Sequence, residues 1–335
     1  MITTVLGEIK KEALGVTLPH EHLLIDMRTC VDALKDAPSR FFEKMSPANR
    51  YKVACDPYAI LDNALMESVE CAEAELLSFK AEGGQTIVDC TPDEIGRDPH
   101  KLKALSQKTG VNIIMGCGHY YHKAHFPCVK KASVDTLASE MLNDLTVGVG
   151  NSGVKAGIIG EIGTSATVSE DEKKVLHAAG AISAQTDKAI HVHTDLYTEN
   201  GHEIIKLLTM EGARRERICI DHIDVLLRPD YVRSLLNEGV FVEFDNFGKE
   251  FFLSKTRRFA YDLERIQLLK TLLDEGYGKQ ILVTNDICLK SMLTSYGGGG
   301  YSHVLGAVRH MALENGITAQ EYDALLTENV KRFLD

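Results

Sequence analysis

The chain has 335 residues, 44% of them apolar and 25% charged, and 37 basic against 48 acidic side chains give a formal charge of −11. Those proportions are ordinary for a water-soluble globular enzyme and exclude intrinsic disorder, collagen and coiled coil. An acidic surface of this size repels nucleic-acid phosphates and anionic membranes, and no run of 18 apolar residues is present to span a bilayer, so the expected partner is a small-molecule substrate.

Short β-branched runs alternate with longer amphipathic stretches along the chain, the pattern of βα units and a parallel sheet. The first residues, Met1 to Lys11, lack the basic and apolar regions of a secretory signal. The predicted strands are Gly15–Ile25, Thr86–Cys90, Asn112–Cys117, Ala156–Ile162, Ala189–His193, Ile218–His222, Val240–Asp245 and Ile281–Asp286. Between the first two, Asp56-Pro57 reads as N-cap and first turn of a helix running to Gly83-Gly84, with apolar Ile60, Leu61, Ala64, Leu65, Leu76 and Leu77 recurring at helical spacing. Asp98-Pro99 opens another, closed at Gly110, and Ser169 to Glu172 and Thr318 to Glu321 read as capping boxes. Further helix ends fall near Gly212, Gly239 and Gly276. The eight cysteines form no C-x-x-C pair and most sit in apolar runs, which predicts reduced, mainly buried thiols and a cytoplasmic protein.

Eight such units, unbroken by any Pro/Ser-rich linker, predict an α/β fold: a single (β/α)8 TIM barrel, one domain over residues 1–335. A doubly wound open sheet would want a Gly-rich phosphate fingerprint after an early strand, and none is present. The long connections 29–55, 246–263 and 287–304 follow strands one, seven and eight, where a barrel builds its active-site mouth.

Candidate chemistry lies at the strand ends. His20 and His22 alternate within Leu18-Pro-His-Glu-His-Leu-Leu, so both imidazoles point to one side of the strand. An H-x-H alone is a weak metal signal, its plain alternative being two partly exposed polar side chains. Glu161 interrupts an apolar run, and burying a lone carboxylate is costly unless a cation or several donors meet it. His193 ends the fifth strand, His222 the sixth and Asp286 the eighth. His193 read singly is a core histidine and Asp286 a helix cap, but an imidazole or acid at the same end of five strands suits one or two divalent metals. Zinc fits these donors, as do manganese and iron, and the lack of thiolate argues against a structural zinc. Two adjacent cations need a bridging anion, for which Glu161 is the candidate.

At this point the sequence resembles the phosphotriesterase-like branch of the amidohydrolase superfamily. The matching stretches are Gly15 to Leu23, Lys155 to Ser165, His193-Thr194, Asp221 to Asp224, Asn285 to Ile287 and Gly297 to His303, in the family's order over nearly the whole chain. The resemblance implies two divalent metal ions, with His20, His22 and Asp286 on the more buried one and His193 and His222 on the more exposed one. It also implies a homodimer. Many members bridge the metals with a carbamylated lysine in strand four, where this sequence has Gly160 and then Glu161. One position later, strand parity aims Glu161 the other way unless a bulge intervenes. A subgroup with Glu in this motif looks the same, so the bridge is assigned to Glu161, and Lys155, at the start of the strand, is read as structural.

A metal lowers the pKa of its water toward ~7, giving hydroxide at neutral pH. Asp286 is expected to accept the water's proton, and Asp224 either relays it outward or caps the next helix. The resemblance implies a tyrosine against the metal site: Tyr120 or Tyr121 as donor to a developing oxyanion, with Tyr120 the catalytic choice and Tyr121 a substrate contact. His119, His122 and His125 in the same loop extend the metal site or serve as solvated or substrate contacts. Lys249, Lys255, Arg257 and Arg258, with Lys290 and Arg228, offer partners to an anionic substrate, and Lys249, Arg257 and Lys290 are taken as contacts; the plain alternative is a solvated basic loop. The expected function is binuclear metal-dependent hydrolysis of a small carboxylic ester, lactone or N-acyl amide, with an anionic handle. The alternatives are phosphotriesterase activity, a mononuclear deaminase, or a metal-binding barrel without turnover.

Overall fold

A computed structural model of the chain describes residues 1–31 and 42–335. The predicted connection 29–55 therefore lies partly outside the described residues. Eight parallel strands form the barrel wall: β1 (Val16–Glu21), β2 (Gly84–Asp89), β3 (Asn112–Cys117), β4 (Ile158–Gly163), β5 (Ile190–His193), β6 (Ile218–Ile220), β7 (Phe241–Phe244) and β8 (Ile281–Val283). They pair in sequence order from β1 to β8. All eight fall within the predicted spans except β2 and β4, whose ends differ by one or two residues. The helices outside them include α1 (Val69–Ala81), α2 (Pro99–Thr109), α3 (Pro127–Lys131), α4 (Val134–Thr146), α5 (Glu170–Thr186), α6 (Gly201–Met210), α7 (Pro229–Asn237) and α8 (Asp262–Asp274). Three more close the chain: α9 (Ala307–Glu314), α10 (Ala319–Leu326) and α11 (Glu328–Leu334). No helix among the described residues is long and apolar enough to cross a membrane.

The predicted caps at Asp98, Ser169 and Thr318 hold. Asp98 accepts from the backbone of His100 and Lys101, with Pro99 in the first turn of α2. Ser169 and Thr318 make reciprocal capping boxes with Glu172 and Glu321. The helix expected from Asp56 does not form. Asp56 Oδ1 accepts from Tyr58 N at 3.0 Å, a local turn that competes with helix initiation. Residues Leu61–Ala64 make a 3-10 turn, and Leu65–Met66 pair antiparallel with Ile25–Asp26. The helix starts only at Val69, capped by Ser68. The apolar spacing at Ile60, Ala64 and Leu65 therefore records burial of a loop rather than a helical face. The thiols are less buried than expected: Cys90, Cys117 and Cys219 are buried, Cys55 and Cys128 exposed, the rest intermediate.

The barrel is closed at its two weak places by side chains. Between β8 and β1, the Glu21 carboxylate accepts from Thr284 Oγ1 (2.6 Å), Asn285 N (2.9 Å), Asn285 Nδ2 (3.0 Å) and Ile287 N (2.7 Å). At the N-terminal end, Ile2 from an antiparallel hairpin and Val330, Phe333 and Leu334 from α11 pack against Val88, Ile114 and Phe241 as one apolar cluster. Water is thereby excluded from that end, and polar groups are left to gather at the other.

Candidate metal centre

All six predicted ligands converge at the C-terminal end of the barrel. His20 and His22 point inward from β1, as strand alternation requires, and both are buried, as are Glu161, His222 and Asp286. Glu161 lies at the middle. Its Oε1 is 3.3 Å from His22 Nε2, while its Oε2 is 3.2 Å from His193 Nδ1 and 3.7 Å from His20 Nε2. Two groups of candidate ligands result, His20–His22–Glu161 and Glu161–His193–His222, with Glu161 common to both. Asp286 Oδ1 joins the first at 3.2 Å from His22 Nε2.

The parity problem at Glu161 is solved by the backbone. Ile159 pairs with Ile190 but Ile162 pairs with Val192, so β4 spends one residue more than β5 between the two pairs. That irregularity turns Glu161 into the barrel. It needs Gly160, whose φ is +126° and where a Cβ would lie 2.6 Å from the carbonyl oxygen of His191. His222 and Asp286 lie just past their strands with φ of +63° and +46°. A left-handed non-glycine residue costs about 1–2 kcal/mol. Here it is held by neighbours: His222 N donates to Asp245 Oδ2 at 3.0 Å, and Ile287 N, next to Asp286, donates to Glu21.

The outer nitrogens are fixed as well. His20 Nδ1 is 3.0 Å from Glu243 Oε2, His22 Nδ1 is 2.9 Å from Thr91 Oγ1, and His222 Nδ1 is 2.9 Å from Asp245 Oδ2. These partners turn each Nε2 toward the centre, the usual arrangement around a metal-ligating imidazole. Burial lowers the pKa of His22, but the Asp286 and Glu161 carboxylates outweigh it and hold it at about 9. Burial likewise opposes, and Asp245 and Asp286 overcome, at His222, which is also raised. Glu161, pushed up by burial, is held well below the carboxylate range by His193, His20 and His22. The cavity thus favours positive charge.

The residues fit a metal. His20 Nε2 is buried with no hydrogen-bond partner among the described residues, and His222 Nε2 faces His193 Nδ1 at 2.7 Å. A cation satisfies such inward lone pairs together, and imidazole with carboxylate is the donor set of a divalent transition ion.

A cavity of about 230 Å³ opens from this centre to the surface, walled by Ile25, Met27, Leu196, Phe251, Phe259 and Leu289. Tyr120 reaches it, with its hydroxyl 3.3 Å from His193 Nδ1, and burial pushes its phenol well up, so it stays a protonated donor. Lys249 also lines it but is buried and ion-paired to Asp286 Oδ2. Burial opposes, but Asp286 outweighs, in raising the Lys249 pKa, while Lys249 helps hold the Asp286 carboxyl below its usual range against burial. Arg257 lies 5.5 Å over the Tyr197 ring at the cavity wall.

Other candidates are placed elsewhere. Tyr121 stacks on His193 at 6.1 Å and donates to Cys30 O at 3.3 Å, outside the cavity wall. Lys290 is tied to Asp62 at 2.8 Å, Arg258 to Glu264 at 2.8 Å, and Arg228 to the carbonyls of Tyr197 and Thr198. None of these three lines the cavity, because each finds a local partner first. Asp224 is fully buried, its carboxylate accepting from Asn246 N (3.1 Å) and Asn246 Nδ2 (2.8 Å) and ion-paired to Arg265 (3.1 Å). It is closed to solvent and caps no helix, since α7 begins after Arg228. Its place is behind Asn246, which does reach the cavity. His119, His122 and His125 belong to neither ligand group.

Sequence reasoning missed Glu243, Asp245, Asp221 and His191, all buried beneath the centre. The signal was present: Val-Phe-Val-Glu-Phe-Asp carries two acids in an apolar run, as at Glu161. It missed the cavity-lining Tyr58, Tyr197 and Cys288, which only the folding of the loops brings in.

A cluster of imidazoles and carboxylates at the C-terminal mouth of a (β/α)8 barrel marks a metal-dependent hydrolase. Residues 1–334 match the model of the Phosphotriesterase family, and the chain belongs to that family. It is 34% identical over 345 residues to the N-acetyltaurine hydrolase of Xenopus tropicalis, covering 99% of this chain and 97% of that protein. To the Phosphotriesterase-related protein of Nematostella vectensis it is 35% identical over 346 residues, covering 100% and 98%. Its fold matches the crystal structure of a resiniferatoxin-binding protein from Rhodobacter sphaeroides with a TM-score of 0.95 and 32% identity, over 100% of this chain and 94% of that one. The protein is a hydrolase acting on amide or ester bonds.

Proposed function

We propose that the protein is a binuclear metal-dependent hydrolase that cleaves a small N-acyl amide whose amine part carries an anionic group. The observation that carries the binuclear reading is the division of the Glu161 carboxylate, one oxygen toward His22 and the other toward His193 and His20. His20, His22 and Asp286 would hold one divalent cation, zinc first, and His193 and His222 the other, with Glu161 between them. When bound, such a pair supplies a Lewis acid for the scissile carbonyl and a water acidic enough to attack at neutral pH.

The chain's own groups supply the rest. Asp286, kept ionised beside Lys249, is the acceptor for the attacking water's proton, which it returns to the leaving nitrogen. Tyr120 Oη, held protonated by burial, is the donor to the carbonyl oxygen as it gains charge. The apolar wall of Ile25, Met27, Leu196 and Phe259 takes a small acyl chain and excludes bulk water. Arg257 has no carboxylate partner among the described residues and is the group that meets an anion at the mouth. The relatives named N-acetyltaurine hydrolase, whose named substrate is an N-acyl amide with a sulfonate, support this class over lactones and phosphotriesters.

Metal content of protein purified without chelator, beside a Glu161→Ala variant, tests the reading together with turnover of N-acyl aminosulfonates and aminocarboxylates, lactones and phosphotriesters. The expected result is near two equivalents in the parent, fewer in the variant, and an N-acyl amidase activity that falls at least about a hundredfold. One equivalent indifferent to Glu161 overturns the binuclear reading. A lactone or phosphotriester preferred over every amide overturns the substrate class.

A further inference from the structure

The loop after β3 carries three histidines, and the fold separates them. His119 is committed to Glu94 at 2.7 Å and Glu140 at 3.7 Å. His122 and His125 instead converge with Asp171 from the first turn of α5, and one ligand atom from each of the three lies within 4.8 Å of the other two. We propose that His122, His125 and Asp171 form a peripheral site for a divalent transition-metal cation, sharing no residue with the centre at the barrel mouth and tying the β3 loop to α5.

The observation that points to a ligand is His125. It is 5% exposed, and its Nε2 lies 2.6 Å from the carbonyl oxygen of Tyr120. A carbonyl only accepts, so Nε2 carries the proton and Nδ1 is left with a lone pair. That Nδ1 is buried and has no hydrogen-bond partner among the described residues. A buried acceptor in that condition is destabilising unless something fills it. An imidazole that donates one nitrogen to a backbone carbonyl and presents the other is the ordinary form of a metal ligand. Burial also lowers the His125 pKa, which favours the neutral ring that ligation requires.

The other two ligands complete an open site. His122 Nδ1 is 3.6 Å from Asp171 Oδ2, while Lys174 engages the other oxygen, Oδ1, at 3.1 Å. The loop is already set against the helix, because His122 N donates to Glu172 Oε1 at 2.8 Å. Two imidazoles and one carboxylate leave room for water, and they favour zinc, cobalt or nickel over the oxygen-seeking calcium and magnesium. The site has a route to the chemistry. His125 holds the backbone of Tyr120, whose hydroxyl stands 3.3 Å from His193 Nδ1, so a cation on His125 fixes the segment that carries Tyr120 into the cavity.

The test is equilibrium dialysis of the untagged, metal-loaded protein against micromolar ZnCl2, with zinc per chain counted by elemental analysis. The parent should take up one equivalent beyond the load of the mouth, with a rise in apparent Tm. His122→Ala and Asp171→Asn, both at accessible positions, should each lose that equivalent and the Tm rise while keeping the load of the mouth. Glu161→Ala should keep the additional equivalent, so failure at the mouth and failure here read out separately. No additional equivalent in the parent, or one that survives both substitutions, overturns the proposal.

Discussion

Around the metal centre, atoms facing away from the cavity decide what the atoms facing it can do. His20 presents Nε2 because Nδ1 is held by Glu243 at 3.0 Å, and His22 presents Nε2 because Nδ1 is held by Thr91 at 2.9 Å. A Glu243→Gln variant keeps the shape but places a weaker acceptor against His20 Nδ1. Metal affinity is expected to fall about tenfold to a hundredfold, read by competition with a chromogenic chelator. An unchanged affinity would remove Glu243 from the list of orienting groups. His20 and His22 were legible because period-two alternation is a property of any strand. Glu243 was legible only in part: its oddness shows in the sequence, but its partner lies 223 residues away. Lys249 was read as a substrate cation, whereas its nearest partner proved to be Asp286, a contact no spacing encodes.

The elements were read well where the signal is local and poorly where it is not. The caps of α2, α5 and α10 involve groups within three residues of one another, so the sequence contains the whole interaction. Residues 56–66 misled because burial under neighbouring loops imitates a helical apolar face. The bulge in β4 is intermediate: Gly160 allows it, but pairing with β5 creates it. The turn after β3 is clamped by His119, which bridges Glu94 on the preceding connection and Glu140 on α4. Burial lowers the His119 pKa, but Glu140 and Glu94 overcome that and raise it to about 9. A histidine raised above its unfolded value stabilises fully below about pH 6.5 and loses that stabilisation as pH rises through about 9. The gap in stability between the parent and His119→Ala should therefore be widest near pH 6 and shrink by pH 10, in denaturant melts at both values. A gap independent of pH would mean that packing, not the ion pair, holds the clamp.

At the scale of the molecule, the barrel depends on a seam that its strands do not make by backbone pairing. Glu21 gathers four donors from the segment Thr284 to Ile287 and so joins β8 to β1. Removing a buried acceptor leaves each donor unsatisfied, so Glu21→Ala is expected to cost about 3 kcal/mol and to lower the apparent Tm by several degrees. The same seam sets Asp286, one residue before Ile287, so the metal load should fall with it. A variant that melts with the parent would show that the seam closes without Glu21.

Alternating βα units, caps and the strand-end placement of His20, His22, Glu161, His193, His222 and Asp286 were determined by the sequence alone, because each rests on periods and neighbours within one element. The tertiary structure decided which nitrogen each histidine turns inward, how Glu161 comes to face the barrel interior, and which basic side chains reach the cavity. Those outcomes depend on contacts between segments far apart in the chain, where competition among partners, and not local propensity, selects the geometry.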